Sequence, residues 1–285
     1  DVEFSKLGYR PAAEKRFLRE IQKPHGMILT TGPTGSGKTT TLYAILQKLN
    51  TQERKIITLE DPIEYKLAGI NQSQINSSKE YTFATGLRSV LRQDPDIVMV
   101  GEIRDFETAD VAINASLTGH LMLSTIHTNS ASGAIPRLIS MGVKPFLLAP
   151  SLNAVMGQRL VRRVHEDCKE AYQPDAEALE KVKTTLSTIP EKSGETIPSL
   201  DGVTFYKGKG CAACNNSGFK GRIGIYEIIV MDEVMRKGLS ENVSEFEIRQ
   251  LAVGQGMVSM TQDGFLKATE GLTTIEEVLR TSGVE

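Results

Sequence analysis

The stretch Gly32-Pro33-Thr34-Gly35-Ser36-Gly37-Lys38-Thr39 satisfies the pattern G-x-x-x-x-G-K-[ST] at every fixed position. This loop works only between a strand and a helix, so it constrains the fold more than any other part of the chain. Its flanks agree. Met27-Ile28-Leu29-Thr30-Thr31 reads as a short buried strand, and Leu42 to Leu46 with Leu49 reads as a helix with one apolar side. The glycines let backbone N–H groups turn inward around phosphate oxygens, and the helix N-terminus adds its positive end. Lys38 is placed to reach the β- and γ-phosphates, and the Thr39 hydroxyl to bind Mg²⁺. Gly32, Pro33, Thr34, Gly35, Ser36, Gly37, Lys38, Thr39 and Thr40 are therefore the expected phosphate-binding residues. The ligand class is a nucleoside triphosphate, but the loop does not say how its energy is used.

Around the loop, strand and helix patterns alternate. Lys55–Leu59, Ile97–Val100 and Leu121–Thr125 read as strands, Phe83–Arg92 and Glu107–Leu117 as helices. Such alternation implies βαβ units and a mostly parallel sheet covered on both faces. Ligands in such sheets bind at the carboxyl ends of the strands. Three polar clusters stand there: Glu60-Asp61-Pro62-Ile63-Glu64, Gly101-Glu102-Ile103-Arg104-Asp105, and Thr118-Gly119-His120 with His127 beyond the third strand. Glu102 occupies the place of a Walker B acid, with Gly101 directly after the strand, and can hold Mg²⁺ or orient the attacking water. Glu60 is the second candidate base. His120 and His127 bracket one strand and suit a sensor of the γ-phosphate. His25 caps the entry to the first strand. Arg88, Arg92 and Arg104 are candidate phosphate or interface arginines.

The remainder is read more coarsely. A polar lead-in carries Phe17, Leu18 and Ile21. Residues 169–202 are polar with one helix over Asp175–Leu186, Ile223–Val230 reads as a strand, and the tail as short helices capped by Asp232, Ser244, Ser259 and Thr274. The net charge of −2 and the lack of a basic, aromatic-studded stripe disfavour a nucleic-acid translocase. With no long apolar run and no signal peptide, the expected place is the cytoplasm without direct membrane insertion. Asp1 in place of Met suggests a piece of a longer protein.

Four boxes in order carry a specific resemblance: Gly32–Thr39, Ile57–Tyr65, Leu91–Asp96 running into Gly101–Asp105, and Thr118–His120 to His127–Asn129. They resemble the Walker A, Asp, Walker B and His boxes of the type II secretion / type IV pilus assembly ATPases. The resemblance implies an α/β, RecA-like P-loop core in a cytosolic homo-hexamer that hydrolyses ATP with Mg²⁺. It implies an inner-membrane platform protein as partner, Glu60 or Glu102 activating water, and His120 and His127 reading the nucleotide. The expected organisation is a lead-in or remnant of a preceding domain over 1–24, the ATPase core over 25–160, a Cys/His module over 161–222 and a C-terminal strand and helical region over 223–285. A nucleotide-dependent switch with negligible turnover and a pilus retraction motor are the alternatives.

The chain has 3 cysteines, an odd number that speaks against a disulfide framework. Cys211-Ala212-Ala213-Cys214 is a C-x-x-C knuckle, and His165-Glu166-Asp167-Cys168 repeats its spacing with His first. Tetrahedral zinc takes such a His/Cys₃ set, in a structural role with no open position. Family members with this module usually show four cysteines, so His165 is a departure. By the same resemblance the module marks assembly and secretion motors, since retraction motors generally lack it.

Overall fold

Residues 3–239 and 243–283 are described by the structure, a computed structural model. The chain runs α1 (Pro11–Ile21), β1 (Gly26–Thr31), α2 (Lys38–Leu49), β2 (Ile56–Glu60), β3 (Asn71–Gln74), α3 (Phe83–Leu91) and β4 (Ile97–Val100). It continues with α4 (Phe106–Leu117), β5 (Leu121–Ile126), α5 (Ala134–Met141), α6 (Pro145–Ser151) and β6 (Leu152–Val164). Then come β7 (Lys169–Tyr172), α7 (Ala176–Ser187), β8 (Phe205–Gly208), β9 (Phe219–Val230), α8 (Glu233–Gly238), α9 (Glu245–Gln255), α10 (Met260–Thr269) and α11 (Ile275–Ser282).

Among the described residues, 7 strands form one sheet in the order β3-β2-β4-β5-β1-β6-β9. Every pairing is parallel except β6 with β9. The apolar runs of β1, β2, β4 and β5 are buried at every position, as strands covered on both faces must be. Helices α3, α4 and α5 pack one face through Leu87, Val90, Ala109, Ile113 and Leu138. Helices α1 and α2 pack the other through Phe17, Ile21, Leu42, Ile45 and Leu46. The amino-terminal lead-in thus lies on the same sheet. A third cluster holds α7, α10 and α11 together around Val182, Phe265 and Val278.

Helix starts follow side-chain chemistry. Asp175, Asp232, Ser244, Ser259 and Thr274 each accept a bond from the N–H three residues on, which satisfies one orphan donor of the first turn. The sheet reaches further than the sequence reading placed it. β6 crosses residue 160 and β9 begins at Phe219, so the strands run through both of the module boundaries expected there. Helices α5 and α6 and strands β3, β6, β7 and β8 went unread. β3 is Asn-Gln-Ser-Gln, with no apolar alternation to mark it. Among the described residues, no helix is long and apolar enough to cross a membrane.

Candidate functional site

Strand register assembles the site. Thr31 pairs with Ile126, Ser124 with Val100, and Val100 with Leu59. The residues that follow these positions (Gly32, His127, Gly101-Glu102 and Glu60) therefore emerge together at the carboxyl edge of the sheet. A cleft of about 470 Å³ lies there, lined by the loop, Thr39, Thr40, Glu60, Glu102 and His127.

The loop is built to take an anion. Gly35 and Gly37 adopt φ of +81° and +88°, a region that favours glycine. A Cβ on Gly37 would also come within 2.8 Å of Gln158 Nε2. Helix α2 starts at Lys38 with neither a side-chain cap nor an acidic residue in its first turn. Its leading N–H groups are thus left to a ligand, and the positive end of the helix points the same way. The Ser36 hydroxyl is buried with no hydrogen-bond partner among the described residues. Lys38 Nζ donates to Gly32 O at 2.7 Å and Pro33 O at 2.9 Å. Burial pushes its pKa down, while the charge of Glu102 acts in the opposite direction.

The two acids occupy different surroundings. Glu102 stands in the cleft with Arg104 Nη2 at 2.7 Å and His127 Nε2 at 3.2 Å. Both partners are about half exposed, at 51% and 54%. Arg104 also reaches Asp61 at 3.3 Å and lies over the Phe83 ring. Glu60 is buried, at 2% exposure. Thr58 Oγ1 donates to its Oε2 at 2.6 Å, Gln72 Nε2 donates to the same oxygen at 3.1 Å, and the Tyr43 hydroxyl donates to Oε1. Burial and the adjacent Glu60 charge raise the Tyr43 pKa, so the phenol stays a donor. A carboxylate has about four lone-pair sites; three are taken, and one is left for the cleft. Thr39 and Glu102 both line the cleft and offer the oxygen donors that Mg²⁺ requires.

Not every expected residue is here. His120 precedes β5 at the amino edge of the sheet, where its carbonyl accepts from Gly26 N–H. Its Nδ1 donates to Ala115 O at 3.2 Å, closing the end of α4. The strand between the histidines runs about 20 Å at roughly 3.3 Å per residue, so His120 is corrected from nucleotide sensor to helix-end cap. Arg88 pairs with Glu107 at 2.7 Å, and Arg92 is the C-cap of α3. Conversely, Tyr43, Gln72, Phe83, Leu160 and Arg222 belong to the site and were not read from the sequence.

The cysteine module closes into one cluster. Ligand atoms of His165, Cys168, Cys211 and Cys214 lie within 4.8 Å of one another. Tetrahedral zinc with bonds of about 2.3 Å to sulfur and about 2.0 Å to nitrogen needs S···S near 3.8 Å and S···N near 3.5 Å. The sulfurs of Cys214 and Cys211 are 3.6 Å apart, those of Cys214 and Cys168 3.9 Å, and Cys211 Sγ is 3.3 Å from His165 Nδ1. The other nitrogen, Nε2, faces Asp167 Oδ2 at 3.3 Å, the partner that orients a ligating imidazole. Cys214 Sγ accepts from the N–H groups of Cys211 and Gly218 at 3.3 Å each. Against the opposing effect of burial, these bonds bring its pKa down to about 6, so it is a ready thiolate. The set is compatible with zinc, and His165 in the first position fits.

Known proteins resemble this chain over nearly its whole length. A family model described as "Type II/IV secretion system protein" matches residues 1–280. Type II secretion system protein E of Pseudomonas aeruginosa is 49% identical over 98% of this chain and 53% of its own length. The type IV pilus assembly ATPase PilB of Thermus thermophilus is 46% identical over 97% of this chain and 30% of its own. The chain thus spans about half, or less, of these relatives. Among solved structures, the pilus retraction motor PilT with bound ADP superposes with a TM-score of 0.70 at 27% identity, covering 100% of this chain and 67% of that one.

Proposed function

Since the chain belongs to the type II/IV secretion system protein family, we propose that it is the motor part of an ATPase that powers protein secretion or pilus assembly. The observation that carries this is the convergence of the phosphate loop, Glu60, Glu102 and His127 on one sheet edge. ATP seats its phosphates on the loop N–H groups and Lys38, which turns from the Gly32 and Pro33 carbonyls toward the charge. Thr39 and Glu102 are the residues that would hold Mg²⁺, which would supply positive charge to offset that of the phosphates. Glu60, fixed by Tyr43, Thr58 and Gln72, accepts the proton of the attacking water at its remaining lone pair. Arg104 and His127 leave Glu102 for the equatorial oxygens, so their position differs between triphosphate and diphosphate. Nothing further is asked of covalent chemistry, since this reaction depends on positioning and charge.

The relatives support the direction of work. The secretion protein and the pilus assembly ATPase named above are 49% and 46% identical, against 27% for the retraction motor. A structural zinc in the His165/Cys168/Cys211/Cys214 cluster is part of the proposal, as are a homo-hexamer and a platform protein at the cytoplasmic face of the inner membrane. Phosphate release by the full-length protein with Mg²⁺ tests the motor. Glu102→Gln is expected to keep nucleotide binding and to lose turnover on the order of a hundredfold. Near-normal turnover in that variant would remove Glu102 from the site, and negligible turnover of the unaltered protein would remove the motor.

A further inference from the structure

A buried carboxylate outside the cleft holds the loop that carries His127. Glu227, in β9, is 2% exposed. It stands opposite Gly157 of β6, and β6 separates it from β1 and the loop after β5. Gly157 leaves the passage open: a Cβ there would lie 2.8 Å from Glu227 Cγ and 3.2 Å from Ala131 N. Through this gap Glu227 Oε1 accepts the N–H of Ala131 at 2.8 Å. Its Oε2 lies 3.5 Å from the N–H of Met260, in the first turn of α10.

The loop from His127 to Gly133 is fastened at both ends. At its start the Thr128 N–H donates to Thr31 Oγ1 at 3.0 Å, and Thr31 Oγ1 donates back to Thr128 O at 2.8 Å. Thr31 directly precedes Gly32 of the phosphate loop. At its far end Ala131 rests on Glu227, while the Ser130 hydroxyl bonds to Glu245 of α9. His127 is the residue between β5 and this doubly held segment, and it faces Glu102.

We propose that Glu227 is a positioning residue for ATP hydrolysis: by holding Ala131 across Gly157 it sets His127 against Glu102, and it ties that loop to α10. The proposal rests on the motor reading above. Movement of His127 on phosphate loss pulls on the same carboxylate that meets the start of α10, which gives the C-terminal helices a mechanical line to the nucleotide. Its hydrogen bond acts through the loop and never touches substrate.

The test uses the full-length protein. Glu227→Ala is expected to lower kcat about tenfold with KM for ATP within about twofold, the pattern of a lost transition-state interaction. Gly157→Ala, which blocks the passage, is expected to do the same. Val182→Ala, on the buried face of α7, is the control for lost stability and is expected to keep kcat. In a His127→Ala background the Glu227→Ala change is expected to cost less than about twofold, because residues that act as a unit are not additive. Equal losses with and without His127 would overturn the proposal, as would a kcat loss in the Val182 control that matches its loss of stability. Hydrogen exchange at the Ala131 amide reads the tether without any turnover. Exchange no faster in Glu227→Ala would refute the tether, whereas an unaltered protein that releases no phosphate would refute the motor reading instead.

Discussion

Replacing Glu60 by glutamine separates its role from that of Glu102 by a double effect, on turnover and on stability. The side chain receives Thr58 and Gln72 at one oxygen and Tyr43 at the other. Gln72 is not free to turn around, because its Oε1 accepts the Leu67 N–H at 2.8 Å. An amide at position 60 has one acceptor oxygen. If its NH₂ takes the Oε2 place, it meets the NH₂ of Gln72, donor against donor. If it takes the Oε1 place, the Tyr43 hydroxyl becomes an acceptor and its own proton has no partner there. Either way a donor is stranded at a position only 2% exposed. Such a loss costs about 2 kcal/mol, a fall of about 5 °C in melting temperature for a chain of this size. Glu102→Gln removes only partly exposed ion pairs, worth about 0–1 kcal/mol. The assay is thermal melting beside steady-state phosphate release for both variants. Both are expected to lose turnover on the order of a hundredfold, and only Glu60→Gln to melt early. A Glu60→Gln protein that melts like the unaltered one would refute the three-donor account, and one that also turns over normally would remove Glu60 from catalysis.

Three further outcomes are expected. His120→Ala should leave ATP turnover within about twofold and cost about 1 kcal/mol through the lost bond to Ala115 O; a large turnover loss would return His120 to the nucleotide. Metal analysis should find about one zinc per chain, and removal by a chelator should free three thiols to titrate and loosen the segment around β7 and β8; a metal-free protein with three reactive thiols as isolated would refute the zinc site. Glu277 is buried between Arg162 and Arg280, whose bonds outweigh burial and bring its carboxyl from the usual 4.5 to about 2. A depressed carboxylate stabilises the fold above the unfolded pKa and stops doing so as pH falls through the folded one. Glu277→Gln should therefore cost about 2 kcal/mol at pH 7, discounted for the exposed Arg280, and the gap should close between about pH 4.5 and pH 2; a gap independent of pH in denaturant titrations would contradict the assignment.

What the sequence showed was local, and the reason is physical. The phosphate loop, the apolar strands and the capping residues are each specified by neighbours a few positions away, so they were legible from Gly32 to Thr274. Contacts across the sheet were not. Gln72 lies in a polar edge strand that no periodicity marks, and Tyr43 looks like any core residue of an amphipathic helix. Glu227 reaches Ala131 only because β9 turns back antiparallel beside β6 and Gly157 leaves a gap. The histidine pair shows the limit most sharply. His120 and His127 look equivalent in the sequence, as polar ends of one apolar run. In a helix seven residues would return them to one face, but in a strand the same seven carry them to opposite edges of the sheet. The two carboxylates diverge for a similar reason. Glu60 still belongs to its strand and is enclosed by β3 and α2, whereas Glu102 lies past the end of β4 and stays open to Arg104 and His127. One step of register thus makes one acid a buried acceptor and leaves the other beside two half-exposed cations, and the proposed motor, which would both cleave phosphate and report its loss, would use one of each.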